Sequence, residues 1–317
     1  MTDAMIEIIE GLRRRKKAIS PKYFYDERGS QLFEDITALP EYYLTDAELE
    51  IMREYVDEMA ALIGPQASLI EFGSGSSLKT RILLEHLNEL AAYVPVDISE
   101  DHLYESAGRI RSEFPDTPVH PVVADFTRPF DLPSPAVMPV KNVVYFPGST
   151  IGNFERDAAI ELLRVMHGEA GENGALLIGV DLQKNPEIID RAYNDSAGVT
   201  AEFNLNMLRH LNASYGSDFD LDAFEHRAEY DERQGRVVLE LVSQEEQTVS
   251  IGDAEIDIAD GEAILTEYSH KYTLDSFAAL ADAAGFEVAH VWTDKDRLFS
   301  VQYCTARAAR GRTKVTG

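Results

Sequence analysis

The side chains in this sequence best placed for chemistry sit where short apolar runs end in an acid. Leu69-Ile70-Glu71-Phe72-Gly73-Ser74-Gly75-Ser76-Ser77-Leu78-Lys79 passes from an apolar run through an acid into alternating small residues, just before an amphipathic helix begins near Ser77. Gly73 and Gly75 permit positive φ and let backbone approach a ligand, and the helix start aims unpaired N–H groups into the same crevice. The spacing excludes two cofactor classes. A dinucleotide fingerprint needs a third glycine where Leu78 stands, and a phosphate-cradling loop needs a glycine before Lys79-Thr80. Tyr93-Val94-Pro95-Val96-Asp97 ends in a second acid, about one helix and one strand further on, where a carboxylate accepts both hydroxyls of a ribose or caps the helix starting near Ser99. A third run, Val119 to Ala124, ends in Asp125-Phe126, an acid for an exocyclic amine beside a ring for a base face. Three strand ends, each with an acid, predict a nucleoside-type site.

Those residues need an α/β scaffold. Strand and helix patterns alternate from about 66 to 182: strands over 67–72, 92–98, 119–124, 142–147 and 174–181, helices over 78–90, 100–113 and 155–168. This predicts a parallel sheet covered on both faces. Residues 183 to about 272 break the alternation with a helical stretch near 186–212 and strand-like runs at 235–243 and 247–258. The pattern resumes with a helix from Leu274 and two strands, Phe286 to Trp292 and Phe299 to Thr305, whose short connection forces antiparallel pairing. Before the alternation, Met5, Ile8, Ile9 and Leu12 fit one helical face, and Leu49, Met52, Val56, Met59 and Ile63 another. The chain of 317 residues is long for one core. The expected division is a nucleotide-binding domain over 58–185 and 273–317 and a substrate-binding domain over 1–57 and 186–272.

With 56 acidic against 29 basic residues, the net charge of −27 disfavours nucleic acid and anionic membrane surfaces as partners. Cys304 is the only cysteine, which excludes an intrachain disulfide, and no Cys/His cluster suggests structural zinc. The Arg13-Arg14-Arg15-Lys16-Lys17 run is not followed by an apolar segment of signal-peptide length, so a cytoplasmic protein is expected.

Longer blocks carry a resemblance. The E-x-G-x-G pattern resembles the first motif of S-adenosylmethionine-dependent methyltransferases. Ser20-Pro21-Lys22-Tyr23-Phe24-Tyr25-Asp26-Glu27-Arg28-Gly29-Ser30, Leu39-Pro40-Glu41-Tyr42-Tyr43 and Phe146-Pro147-Gly148-Ser149-Thr150-Ile151-Gly152-Asn153-Phe154 resemble the L-histidine Nα-methyltransferases of ergothioneine biosynthesis. So do Ala192-Tyr193-Asn194-Asp195, Ala201-Glu202-Phe203-Asn204 and Thr266-Glu267-Tyr268-Ser269. The blocks run in order over nearly the whole chain.

The resemblance implies a Rossmann-like class I methyltransferase fold with an antiparallel C-terminal hairpin and a second domain made from the N-terminus plus an insertion. It implies S-adenosylmethionine as donor, L-histidine and its mono- and dimethylated forms as acceptors, hercynine as product, and no metal. Gly73, Ser74, Gly75, Lys79, Asp97, Asp125 and Phe126 are the implied cofactor contacts. Tyr25 and Asn153 are the implied catalytic residues, and Tyr42, Gly148 and Tyr193 join them in holding the substrate. An amide at Asn153, after the fourth strand, reaches the α-amino and α-carboxylate groups. Tyr193 resembles the tyrosine that bonds the carboxylate, and Tyr25 and Tyr42 those whose faces tolerate a growing methylammonium.

Glu267 and Ser269 alternate, so on an extended segment they share a face. A carboxylate and a hydroxyl there suit the two imidazole nitrogens. Methyl transfer to an amine is an in-line displacement that chiefly needs alignment and exclusion of water. The chain departs from the family pattern at Leu44-Thr45-Asp46, where Pro-Thr-Arg is common, and at Leu239, where some members carry methionine. Two other readings remain: an N-methyltransferase for tryptophan or tyrosine, which Glu267 and Ser269 argue against, and a non-catalytic regulator that binds the cofactor.

Overall fold

The computed structural model describes residues 2–74 and 78–307. The chain forms two compact units, Met1–Tyr43 with Gln183–Lys271, and Leu44–Leu182 with Tyr272–Gly317. The first division therefore falls earlier than the 57/58 expected, and the other two differ from 185/186 and 272/273 by a few residues or fewer. Helix Tyr43–Ile63 is one uninterrupted element; the Tyr43 hydroxyl accepts from Lys184 Nζ at 2.6 Å in the smaller unit, but its later residues bond the larger unit. Leu62 O accepts from Lys141 Nζ at 2.6 Å and from the Tyr303 hydroxyl at 3.1 Å, and Glu58 Oε2 accepts from Trp292 Nε1 at 2.9 Å.

The larger unit is built on a seven-stranded sheet. From one edge to the other run Phe286–Thr293, Phe299–Ala306, Ala175–Asp181, Lys141–Phe146, Ala67–Phe72, Ala92–Asp97 and Val122–Val123. Phe299–Ala306 runs antiparallel to both neighbours, and the pairings among the other strands are parallel, so the expected hairpin closes a class I-type sheet. Ala67–Phe72 and Ala175–Asp181 are buried at every position, which is why they read as continuous apolar runs rather than alternating ones. The edge strand expected over 119–124 shrinks to two residues plus a bridge from Val119 to Tyr93. Pro118 and Pro121 have no N–H to give the ladder. Strand order reverses between Ala67–Phe72 and Lys141–Phe146, so the crevice where such sheets bind ligands lies beyond those carboxyl ends, near Gly73 and Gly148.

The smaller unit holds a four-stranded sheet ordered Lys17–Ala18, Ala263–His270, Arg236–Ser243, Phe224–Asp231, and a ribbon of Gln247–Ile251 with Ala254–Ile258. The apolar run expected over 247–258 is thus two strands, turned at Gly252, whose φ is 60°. The helical stretch near 186–212 is two helices, Pro186–Tyr193 and Val199–Tyr215. Asp195 breaks it: its carboxylate accepts the Val199 and Thr200 N–H groups, both at 2.8 Å, starting a new helix after Gly198 at positive φ.

A β-bulge interrupts the pairing of Ala263–His270 with Arg236–Ser243. Leu265 faces Glu240 and Glu267 faces Leu239, so Thr266 is the extra residue, and its Oγ1 donates to Leu239 O at 3.1 Å. A regular ladder would put Ile264, Thr266 and Tyr268 on the face of Leu239. After the bulge that face belongs to Glu267 and Ser269, opposite Leu239 and Val237.

Gly179, within the Ala175–Asp181 strand, tests how tightly the larger unit is packed. A Cβ there would lie 2.3 Å from Glu48 Oε1 and 3.1 Å from Gly148 N. Gly179→Ala is expected to cost about 1–3 kcal/mol, the usual range for overpacking. Denaturant unfolding checks it, and an unchanged midpoint would show that Glu48 moves aside freely.

Candidate active site

Gly73 follows the Ala67–Phe72 strand at φ 74°, and its N–H donates to Val96 O at 2.9 Å. A Cβ there would meet Phe126 Cε1 at 3.7 Å, so the positive φ rather than the space selects glycine. Ser74 is fully buried. Gly75 and Ser77 lie outside the described residues. Glu71, the acid of the glycine motif, turns inward: it accepts from Thr80 Oγ1 at 2.6 Å and from the Tyr93 hydroxyl. Burial pushes its carboxyl up to about 7 against the pull of these bonds and of Lys79.

Asp97 ends its strand partly buried. Its Oδ1 accepts the Ser99 N–H at 2.9 Å, a local turn just ahead of the helix Glu100–Glu113, whose N-cap is Ser99. Burial raises its pKa, with the Ser99 bond opposing. Asp125 is exposed and accepts from the Thr127 N–H and Oγ1 at 3.0 and 2.6 Å. Phe126 stands 5.6 Å from Phe72 and 5.9 Å from Phe146, ring centre to ring centre, beside Gly73. Positive-φ glycine, buried serine, strand-end acids and an aromatic wedge together fit the nucleoside and amino-acid ends of S-adenosylmethionine.

Lys79 meets a partner that sequence reasoning missed. Its Nζ lies 2.5 Å from Glu48 Oε2, and Glu48, 1 % exposed, also takes the Gly148 N–H on both oxygens at 3.0 Å. A signal existed: Glu48 occupies the apolar stripe of its helix with Leu44, Ile51 and Met52. Gly148 and Ser149 have φ 79° and 58°, and the non-glycine residue costs on the order of 1–2 kcal/mol there. Ser149 Oγ accepts the Asp181 N–H at 2.9 Å, so this turn is held from two sides. The 3₁₀ turn Thr150–Asn153 follows, with Asn153 half-buried at its end.

In the smaller unit Tyr193, Ser269 and Lys271 form a closed triangle. Tyr193 hydroxyl and Ser269 Oγ are 2.7 Å apart, and Lys271 Nζ donates to them at 2.7 and 2.8 Å. Lys271 is 2 % exposed. Tyr193 and Ser269, expected to hold different ends of a ligand, are therefore directly coupled. Glu267, half-buried, has its carboxyl pushed up to about 8 by its apolar surroundings, with the Lys271 charge pulling the other way. Leu239 opposite it packs with Tyr193, Ile189 and Val237, and Tyr42 meets Tyr193 edge-on at 6.4 Å. Tyr25, 47 % exposed, packs edge-on to Phe33 and Phe203.

His226 fixes the other end of Tyr193. Its Nε2 bonds Tyr193 O at 3.0 Å, and its Nδ1 faces Asn204 Nδ2 at 2.9 Å. Asn204 Nδ2 also donates to Glu240 O, so His226 Nδ1 is the acceptor and Nε2 carries the hydrogen. Burial lowers the pKa of His226, in keeping with this neutral ring.

A family model of S-adenosylmethionine-dependent, histidine-specific methyltransferases matches residues 4–306. The chain belongs to this family. It is 37 % identical to the histidine N-alpha-methyltransferase of Mycolicibacterium smegmatis over 91 % of this chain and 90 % of that one, and a Mycobacterium tuberculosis protein of the same name matches to the same extent. It is 34 % identical to ergothioneine biosynthesis protein 1 of Neurospora crassa, over 85 % of this chain and 31 % of that longer one. The family accounts for the sheet order and the cofactor class, and this methyltransferase is an enzyme.

Glu71 predicts a pH effect on stability. Its pKa rises on folding from an ordinary 4.5 to about 7, so its contribution is fully present below about 4.5 and is lost as pH rises through about 7. Glu71→Gln should remove that loss, narrowing the fall in unfolding free energy between pH 5 and 8 by on the order of 1–3 kcal/mol. Urea titrations across this range compare the two proteins, and parallel profiles would refute the assignment.

Proposed function

We propose that this enzyme transfers three methyl groups in succession from S-adenosylmethionine to the α-amino group of L-histidine, giving hercynine, the first step of ergothioneine biosynthesis. One observation carries the choice of acceptor: in a member of the histidine-specific family, the Thr266 bulge turns Glu267 and Ser269 together onto the face of Leu239 and Val237, with Tyr193 bonded to Ser269. A carboxyl and a hydroxyl side by side suit imidazole and leave a phenolic or indole ring with unpaired polar neighbours.

The residue roles belong to this proposal. Gly73, Ser74, Gly75 and Lys79 hold the amino-acid end of the donor, Asp97 accepts its ribose hydroxyls, and Asp125 with Phe126 takes the adenine. The bound sulfonium supplies an electrophilic methyl group. Asn153, with Gly148, orients the acceptor's α-amino and carboxylate groups, and Tyr193 bonds the carboxylate. Tyr25 and Tyr42 face the amine, whose nitrogen must present its lone pair and give its proton to solvent before each transfer. Their rings accommodate the methylammonium as it grows. Glu267 and Ser269 take the imidazole nitrogens. A cytoplasmic setting without a nucleic-acid partner completes the proposal, resting on the acidic balance of 56 to 29 and the lone, buried cysteine.

Incubation with S-adenosylmethionine and a panel including histidine, tryptophan and tyrosine, followed by mass, should show mono-, di- and trimethylhistidine. Methylation of tryptophan or tyrosine in preference would replace this reading with an aromatic acceptor, and cofactor binding without turnover would point to a regulator.

Two substitutions should separate the donor and acceptor roles. Asp97→Ala is expected to abolish S-adenosylmethionine binding in calorimetric titration. Asn153→Ala should leave that affinity nearly intact while removing histidine binding and turnover. Full donor affinity in a folded Asp97→Ala protein, or normal turnover of Asn153→Ala at low histidine, would show the role to be misplaced.

Glu267→Ala tests selectivity. It should weaken histidine binding by about 1–3 kcal/mol, the cost of leaving a buried polar group unpaired. It should also reduce discrimination between histidine and tryptophan in competition assays. An equal loss on every amino acid would instead assign Glu267 to the fold.

A further inference from the structure

Glu48, in the larger unit, is an acid at 1 % exposure within an apolar helix stripe. Its oxygens meet two donors: Lys79 Nζ lies 2.5 Å from Oε2, and the Gly148 N–H is shared by both oxygens at 3.0 Å. We propose that Glu48 is a positioning residue for the methyl acceptor, holding the turn at Gly148 and Ser149 and through it setting Asn153. The inference rests on the proposed function, in which the Asn153 amide orients the α-amino and carboxylate groups of histidine.

Stability alone does not call for this arrangement. Taking a carboxylate and an ammonium out of water costs as much as their attraction returns, and well-packed apolar side chains in their place are often as stable. What the pair does fix is backbone. Gly148 and Ser149 have φ of 79° and 58°, a left-handed sequence that persists only where the surroundings over-determine it. Glu48 bonds the turn from the helix side at Gly148, and Ser149 Oγ accepts the Asp181 N–H at 2.9 Å from the strand side. The 3₁₀ turn Thr150–Asn153 begins at the next residue. Its Gly152 N–H donates to Ser149 O at 2.8 Å, and Ile151 and Gly152 are buried, so the segment follows Ser149. Asn153 is its last residue, and a rotation at Gly148 is therefore passed on to the amide. An error of an ångström at a group that orients substrate can cost about a hundredfold in rate. Gly179 leaves the room this carboxylate needs, since a Cβ there would lie 2.3 Å from Glu48 Oε1. Lys79 offsets the charge of Glu48 with a side chain that stays 20 % exposed, and an ammonium bonded to one carboxylate still has hydrogens for the donor.

The test compares the wild type with Glu48→Met, which fills the space without accepting a hydrogen bond, and with Glu48→Gln, whose amide oxygen can stand where Oε2 does and accept from both donors. Methylation of L-histidine, followed by mass, gives KM and kcat. Calorimetric titration with S-adenosylhomocysteine reads the donor site without turnover. In Glu48→Met the kcat/KM for histidine should fall by about tenfold or more, chiefly through KM. Affinity for S-adenosylhomocysteine should stay within about threefold, because Lys79 keeps its charge and its access. Glu48→Gln should recover most of the loss. A side chain that only stabilises the fold would lower the unfolding midpoint and leave the KM of the folded protein unchanged, and that outcome overturns the inference. So does a loss of S-adenosylhomocysteine affinity as large as the loss for histidine, which marks a general collapse of the site, and so does a Glu48→Gln protein as impaired as Glu48→Met. If Glu48→Met does not fold, Ser149→Ala decides, since it releases the same turn from the strand side: a raised KM for histidine with donor affinity kept supports the inference, and an unchanged KM overturns it. Failure of the wild type to methylate histidine would instead remove the proposed function, so the two failures are distinguishable.

Discussion

One extra residue, Thr266, decides which side chains the smaller unit presents. Side chains alternate along a strand, so without the bulge Glu267 would project to the face opposite Leu239, and Ser269 with it. The shift puts an acid and a hydroxyl against the apolar patch of Leu239, Val237, Ile189 and Tyr193, with Lys271 just beyond. Polar groups beside such a patch keep unusual properties because water cannot solvate them freely. The raised pKa of Glu267 and the closed hydrogen-bond triangle both follow from that placement.

The larger unit depends on a comparable device, the buried Glu48 carboxylate. Two consecutive positive-φ residues, one of them not glycine, are unfavourable unless the surroundings over-determine them. Here Glu48 takes the Gly148 N–H, and Ser149 Oγ takes the Asp181 N–H, so the backbone before Asn153 is fixed from a helix and from a strand. Lys79 offsets the charge of Glu48, and Gly179 leaves the space its oxygens occupy. One carboxylate thereby joins a residue proposed to bind the donor with a loop proposed to bind the acceptor.

Much of this was legible in the sequence because it is local. The strand ends at Phe72, Asp97 and Phe146 fall within a residue or two of expectation, since each is a buried apolar run closed by a turn residue or an acid. The antiparallel hairpin followed from a connection too short for a crossover. What was not legible depends on partners distant in the chain. Phe224–Asp231 carries charges on an edge strand and lacks clean alternation, so nothing local marks it. Thr266 reads as an ordinary strand residue, because a bulge is defined by its partner strand. Glu48 and Lys271 look like surface residues until tertiary packing buries them, and His226 until packing half-buries it, although the acid within the apolar stripe at Glu48 was a usable sign.

The proposed acceptor gains bulk at each of three transfers, so its amine must turn while its other end stays held. Tyr193 itself is restrained at its carbonyl by the neutral His226 ring, which Asn204 orients. Tyr193 is thus held at both its carbonyl and its hydroxyl, whereas Tyr25, the other tyrosine proposed to meet the acceptor, keeps an exposed ring, and the adjustment that successive methylations would require falls in this proposal to that ring and to the substrate.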